Sequence, residues 1–323
     1  MARTQLARTL AAAALAALAY GAIAQAPPPM TIGVLSSGTY EGRATLDQAL
    51  MQGLRERGYV EGTNLTVVRR YGASQSKQNA AELATMKLDA VLTTCTPSTR
   101  TMQEASATVP IVMAAVSDPV RQKIIDSYAK PGRNVTGTAS QDEDLAAKRL
   151  EMLVALAPTA KTVAVLANGI NPVHALAYPL LEREAKRFGL TTVRYEINSD
   201  KLDQAVANAA AAGATALYVM PDDPLMLNLR VRIVELAARY RLPGVYFARE
   251  FVDVGGLASY GANLPASYRT AASYILRVKD GAAPAALPVA QPTHFEMVVN
   301  ERTARALGLG IPPAIRASAD VLP

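Results

Sequence analysis

The sequence is poor in the residues from which most metal sites and catalytic centres are built. It has one cysteine, Cys95, two histidines, His174 and His294, and no tryptophan in 323 residues. A single cysteine excludes an internal disulfide and a CxxC metal site. Two histidines leave little for a His-rich metal site or a proton shuttle. The strings GxxxxGKS/T, GxGxxG, GxSxG and HExxH are all missing, and Gly308-Leu-Gly310 lacks the third glycine and the strand of a dinucleotide fingerprint. Their absence removes the local signatures of nucleotide binding, serine hydrolysis and zinc proteolysis. Long apolar runs are scarce beyond the N-terminus. The stretch from Ala205 to Met220 is interrupted by Asn208 and Gly213, so nothing there reads as a spanning helix. A concentrated charge is missing too. The net charge of +6 is spread along the chain, and the short basic clusters Arg69-Arg70, Lys148-Arg149 and Arg230/Arg232 read as solvated faces. No nucleic-acid partner is expected from such a pattern.

What remains is apolar mass and order. Half the residues are hydrophobic and 19% are charged, which is enough to build cores and excludes disorder as the main state. The length fits about two domains. Residues 1–24 read as a secretory signal peptide: Arg3 and Arg8 without an acid, the Ala/Leu run Thr9 to Tyr20, then Ala22-Ile23-Ala24 before the cut. Ala24-Gln25-Ala26 is a second match, disfavoured because Pro27 would follow the cleavage. No cysteine lies nearby for lipid attachment, so a periplasmic protein is expected. Removing Arg3 and Arg8 lowers the net charge from +6 to +4.

The chain repeats itself. Thr31-Ile-Gly-Val-Leu-Ser-Ser37 and Thr162-Val-Ala-Val-Leu-Ala-Asn168 are matching β-rich runs, and the amphipathic helices that follow close at Gly58 and Gly189, again at the same offset. Strand-like segments then recur in both halves: Leu65 to Arg70 and Leu190 to Ile197, Asp89 to Thr94 and Thr215 to Met220, Pro110 to Ala115 and Pro243 to Phe247. Strands alternating with helices of this length predict βαβ units, parallel sheets and an α/β fold of two similar lobes. Three extended segments carry the chain between lobes: Asn134 to Ala139, Gly256 to Gly261 and His294 to Asn300. They predict a hinge at Thr136, Gly137, Ser259 and Gly261. The first lobe is expected to comprise residues 30–136 and 260–290, the second 139–256 and 294–323. Helices are expected from Ala266 to Lys279 and Glu301 to Leu307, with Gly281 to Pro292 as a surface connection.

Ligand sites of open α/β sheets lie beyond the carboxyl ends of the strands. The residues there are Ser36, Ser37 and Gly38; Thr94, Cys95, Thr96, Pro97 and Ser98; Ser117 and Asp118; Asn168 and Asn171; Asp222 and Asp223; and Arg249 and Glu250. These are small hydroxyls, amides and single charges with no base–nucleophile set, which suits binding in a cleft rather than catalysis. Thr96-Pro97-Ser98 reads as a helix start, either an ordinary cap or a cradle for a carboxylate or phosphate. Asp118 before Pro119 either caps a helix or faces a ligand amine. Asp222 and Asp223 cap the next helix or offer a carboxylate to the cleft. Arg249 and Glu250 pair on a surface or reach the ligand. Tyr40, Tyr246 and Tyr260 stack on a ligand or pack between lobes. His174 and His294 read as surface or capping residues, and Cys95 as a packed or loop cysteine.

Several strings occur together in order. They include Gly53-Leu-Arg-Glu-Arg-Gly-Tyr-Val-Glu-Gly62, Val109-Pro-Ile-Val-Met-Ala-Ala115, Ser117-Asp118-Pro119-Val120, Pro131-Gly-Arg-Asn-Val-Thr-Gly137, Gly255-Gly-Leu-Ala-Ser-Tyr-Gly261 and Ala306-Leu-Gly-Leu-Gly-Ile-Pro-Pro313. Over residues 31–321 the chain resembles the ABC transporter substrate-binding proteins that include tryptophan and aromatic amino-acid binders. The resemblance implies the type I periplasmic binding protein fold, two Rossmann-like lobes on a three-segment hinge. It also implies a small-molecule solute, an ABC permease with its ATPase subunit as partners, a monomer, no cofactor, no metal and no catalytic residue. A periplasmic sensory protein presenting its ligand to a membrane receptor is the alternative. Relatives commonly carry glycine around Thr94–Thr96, and Gly-Asp-Pro where this chain has Ser117-Asp118-Pro119.

Overall fold

The computed structural model describes residues 27–142 and 144–323. The signal-peptide reading of residues 1–24 lies outside them. Two sheets carry the architecture. The first has five strands: β1 (Met30–Ser36), β2 (Leu65–Tyr71), β3 (Ala90–Thr93), β4 (Ile111–Val116) and β5 (Val135–Ala139), in the order β2-β1-β3-β4-β5. The second has seven: β6 (Thr162–Asn168), β7 (Thr191–Ile197), β8 (Ala216–Val219), β9 (Gly244–Tyr246), β10 (Ala258–Ala262), β11 (Phe295–Asn300) and β12 (Asp320–Leu322), in the order β12-β11-β10-β9-β8-β6-β7. The first five strands of each half thus take the same spatial order. All pairs are parallel except β10 with β11.

Strands β3, β4, β5 and β8 are buried along their whole length, as sheets covered on both faces require. The covering helices of the first half are α1 (Tyr40–Arg55), α2 (Ser76–Thr85) and α3 (Thr96–Ala105). Those of the second are α4 (Ala146–Leu156), α5 (Pro172–Arg187), α6 (Leu202–Ala211), α7 (Pro224–Asn228), α8 (Arg230–Arg239) and α9 (Arg249–Val252). Gly58 and Gly189, the paired helix stops of the repeat, both take positive φ, 84° and 70°, the left-handed conformation that ends a helix at low cost only for glycine.

The chain crosses between the sheets three times. It leaves β5 for α4 and β6. It returns from β10 into α10 (Leu264–Lys279), which packs on α1 and on β3, β4 and β5. It crosses again after Ala290, whose backbone bridges Thr138, to reach β11, α11 (Glu301–Leu307), α12 (Pro313–Ser318) and β12. Helix α10 starts two residues earlier than its apolar periodicity suggests, because the Asn263 side chain accepts the Ala266 N–H at 2.7 Å and Pro265 suits the first turn.

Gly137 has a local duty the sequence did not reveal. Its φ is 123°, and a Cβ there would lie 2.2 Å from the Met113 carbonyl oxygen. It is needed for β4–β5 pairing itself. Thr136 beside it donates to the Leu287 carbonyl at 2.8 Å, tying the first and third crossings together.

Candidate ligand cleft

The carboxyl ends of both sheets face each other, and the lobes are in contact. One apolar cluster runs through both, from Ile32 and Leu46 in the first to Leu217 and Phe247 in the second. Between them lies a cavity of ≈ 30 Å³. Its apolar wall comes from Leu46, Ala114 and Ala115 on one side and Pro224, Leu227 and Phe247 on the other, with Leu264 of α10. Its polar groups are Arg43, Thr94, Asp142, Asp222, Asp223 and Tyr268. Room for about two waters means that any larger ligand must enter with the lobes apart.

The first lobe presents backbone donors. Cys95 caps α3, and Ser98 three residues on is turned inward: its Oγ accepts the N–H groups of Thr94 and Cys95 at 3.2 and 3.3 Å. Ser36 Oγ accepts the Gly38 N–H and the Thr94 hydroxyl, at 3.1 and 2.9 Å. Ser37 Oγ lies 3.4 Å from Cys95 Sγ. These bonds shape the β1–α1 and β3–α3 loops and leave the Thr96 and Ser117 N–H groups for the opposite lobe.

What meets them is Asp222. Its Oδ2 accepts the Thr96 N–H at 3.3 Å and its Oδ1 the Ser117 N–H at 3.4 Å. Burial pushes the Asp222 carboxyl well above the usual carboxylate range, opposed by these hydrogen bonds. Ser117 Oγ is buried with no hydrogen-bond partner among the described residues. Asp222 (φ 58°), Ala115 (φ 55°), Asp118 (φ 33°) and Gln141 (φ 58°) all hold positive φ at strand-end positions. Backbone strain concentrated there is what binding and switch sites retain.

Asp223, next in sequence, is spent on scaffolding. Its Oδ1 accepts the Leu225 N–H that starts α7, and its Oδ2 accepts the amides of Asn168 and Asn171 at 2.9 and 3.0 Å. His174 completes this loop. It is fully buried, not a surface residue, with Nδ1 accepting the Asn168 N–H and Nε2 donating to the Pro221 carbonyl, at 2.9 and 2.8 Å. Burial lowers its pKa. The imidazole therefore stays neutral and fixes the loop that aims Asp222.

Three sequence expectations are corrected by tertiary packing. Arg149 is fully buried rather than solvated, bonded to Asp142 and to the Tyr260 carbonyl. Arg249 pairs with Asp253 and Asp320, at 3.2 and 2.7 Å, and not with Glu250. Tyr246 is buried and stacks on Phe251, ring centres 4.7 Å apart, and Tyr260 leans on Phe295. Tyr40 lies half exposed with its ring edge toward Tyr71.

Of the other candidates, Asp118 turns away from the cavity to Arg121, whose Nε lies 2.8 Å away, and accepts the Arg121 N–H. Arg249 and Glu250 line a separate groove of ≈ 300 Å³ with Thr45, Arg230, Asn263 and Glu296. Burial raises the Glu250 pKa. Gly38 lies against α7, where a Cβ would meet Pro224 Cβ at 2.7 Å. Sequence reasoning missed Arg43, Asp142, Phe247 and Tyr268. Phe247 lies one residue past β9, the fourth strand of its half, and was within reach of the strand-end rule; the helical Arg43 and Tyr268 carried no such signal.

Residues 31–322 match the model of the family described as ABC transporter substrate binding protein. The chain belongs to the ABC transporter substrate-binding protein family. That is a family of solute-binding proteins and not an enzyme class. Among curated relatives, a tyrosine-binding protein of Clostridioides difficile (strain R20291) is 26% identical over 272 residues, 82% of this chain and 78% of the relative. Among solved structures, an ABC domain in complex with L-Trp from Streptococcus pneumoniae superposes with a TM-score of 0.82 at 24% identity, covering 91% of this chain and 99% of that one. A conserved domain protein from Vibrio cholerae reaches 0.81 at 25% identity, covering 90% and 99%. A ligand-free, open substrate-binding protein with adhesive properties from Clostridium difficile reaches 0.61 at 24% identity, covering 91% and 99%. The fold is that of the type I periplasmic binding proteins, two α/β lobes with a cleft between them. Among the described residues no helix is long and apolar enough to cross a membrane.

Proposed function

We propose that this substrate-binding protein is exported to the periplasm, takes up an α-amino acid, and delivers it as a monomer to an ABC permease. The observation that carries this reading is Asp222 standing opposite the Thr96 and Ser117 N–H groups at the wall of a cavity flanked by Leu46, Leu227, Phe247 and Leu264. An α-amino acid brings one positive and one negative group two bonds apart. Its ammonium matches the buried Asp222 carboxylate. Its carboxylate matches the N–H groups at the start of α3, where the helix dipole favours an anion. Leu46, Phe247 and Leu264 then receive the side chain. The relatives named for tyrosine and solved with L-Trp support the same class. The higher TM-score to the L-Trp complex than to the open protein supports reading the present arrangement as closed.

In this mechanism the solute enters with the lobes apart and is first held by one lobe. Hinge bending then brings the other lobe over it, and the closed form is what the permease receives. Thr136, Gly137, Ser259 and Gly261 are the proposed hinge, and the partner ATPase supplies the energy. The test is thermal melting of the mature protein against amino acids, their methyl esters and N-acetyl derivatives, and sugars. A ligand at ~100 times its Kd adds about 2.7 kcal/mol, a rise of several degrees. A rise with a free amino acid, lost in both blocked derivatives, supports the reading. Equal rises with sugars refute it.

A further inference from the structure

We infer that Arg43 selects the solute's side chain, requiring it to carry a hydrogen-bond acceptor. This rests on the amino-acid reading of the same cavity and adds the side-chain class to it.

Arg43 projects from α1, lines the cavity and is 1% exposed. Its guanidinium is held from three elements. One terminal nitrogen donates to the Tyr268 hydroxyl of α10 at 3.1 Å, and the other to Asp47 Oδ1 at 2.7 Å. The Tyr71 hydroxyl of β2 donates to the second Asp47 oxygen at 2.6 Å. A guanidinium fixed in this way cannot turn to find another partner. Its Nε is buried and has no hydrogen-bond partner among the described residues.

A charged group with a buried, unpaired N–H is costly in an apolar surround. Leu46, Leu227 and Leu264 line the same cavity, and none of the acceptors that share it, Thr94, Asp142, Asp222 and Asp223, is bonded to Nε. A solute seated between Asp222 and the Thr96 N–H extends its side chain into this cavity. An oxygen on that side chain relieves Nε. Asp47 already balances the arginine charge, so the acceptor need not be an anion: a hydroxyl, amide or sulfoxide oxygen suffices. A hydrocarbon side chain leaves Nε bare, and so does an indole, which only donates. A site built for a hydrogen bond discriminates strongly against an analogue that lacks it.

The test is calorimetric titration of the purified mature protein with matched amino acids. The pairs are L-tyrosine and L-phenylalanine, L-glutamine and L-norleucine, and L-methionine sulfoxide and L-methionine. The acceptor-bearing member of whichever pair binds is expected to be tighter by about 10- to 100-fold, the scale of a hydrogen bond to a charged group. Arg43→Met is expected to bring that ratio close to one, and Tyr268→Phe to reduce it by freeing the guanidinium. Should Arg43→Met fail to fold, the wild-type ratio still decides. Equal binding within a pair means that a trapped water satisfies Nε and overturns the inference alone. Binding of no member of any pair overturns the amino-acid reading and this inference with it.

Discussion

The Asp222 carboxylate of the seven-stranded lobe accepts the Thr96 backbone N–H of the five-stranded lobe at 3.3 Å. An acid of the protein itself thus lies on the donors proposed for the solute's carboxylate. Burial raises the Asp222 pKa, and the sign of the pH effect follows. The protonated carboxyl suits this desolvated position. Its stabilisation is complete below the ordinary Asp pKa of ~3.9 and is lost as pH rises through the raised folded value. Solute binding has the opposite sign, because an ammonium needs the ionised carboxylate. Affinity is expected to rise with pH through that same raised pKa. Asp222→Asn should flatten the dependence and weaken binding by roughly 1.5–3 kcal/mol. Titrations across pH check this; a parallel pH profile in the variant would remove Asp222 from the site.

The proposed closure also depends on a small residue in α1. A Cβ on Gly42 would lie 1.6 Å from the Asn228 amide and 2.9 Å from Asn228 Cα, across the cleft on α7. With its amide oxygen toward Thr39, Asn228 accepts the Thr39 N–H at 3.0 Å and donates to the Pro224 carbonyl at 3.2 Å. Gly42→Ala should leave the open form intact, since alanine favours a helix by about 1 kcal/mol over glycine. It should nevertheless reduce solute affinity at least ~10-fold, the equivalent of ~1.4 kcal/mol lost from closure. Small-angle scattering should show a smaller solute-induced contraction than in the wild type. An unchanged contraction with unchanged affinity would exclude this contact from closure.

His174 is a neutral clamp whose pKa is lowered by burial. Its contribution is therefore present above the unfolded value of ~6.5 and lost as pH falls through the lowered folded value. His174→Gln should reduce stability at pH 7.5 by about 1–3 kcal/mol, the scale of buried partners left unpaired. It should also remove part of the stability loss that sets in as pH falls below ~6.5. Urea denaturation at several pH values tests both; identical pH profiles would assign the acid sensitivity elsewhere.

Cys95 offers a native thiol as a reporter of opening. It is fully buried between Ser37 and Ser98, and burial pushes its thiol up to about 11. The thiolate is the reactive form, so a disulfide reagent at pH 8 should modify the native protein slowly and the urea-unfolded chain stoichiometrically. Saturating solute should slow the native reaction further. Rapid labelling indifferent to solute would mean that the Ser37–Cys95 loops do not close over the ligand.

Local pattern carried much of this molecule. The strand-like segments Leu65 to Arg70, Leu190 to Ile197 and His294 to Asn300 fall within one residue of strands Leu65–Tyr71, Thr191–Ile197 and Phe295–Asn300. Helix α11 matches its expected limits of Glu301 and Leu307. The strand-end rule found Thr96, Ser117 and Asp222 because loops after parallel strands must gather at one edge. It also gathered Asp118, which lies at the same edge but turns to Arg121. Which way a loop side chain points depends on a φ of 33° and a neighbour three residues away, beyond what residue type alone reports.

The amino-acid sequence by itself determined the duplicated α/β order, the three crossings and the edge at which the strand-end loops gather. Each follows from periodicities of two and 3.6 and from the handedness of parallel connections, which act over short stretches of chain. Only the tertiary structure decided that Arg149 and His174 are buried clamps, that Asp222 reaches the α3 donors, and that Arg43 and Tyr268 wall the cavity. Those outcomes depend on which helix face meets which lobe, and on the desolvation that follows. Arg43 and Tyr268 stand 225 residues apart along the chain, and their hydrogen bond exists only because α1 and α10 pack together.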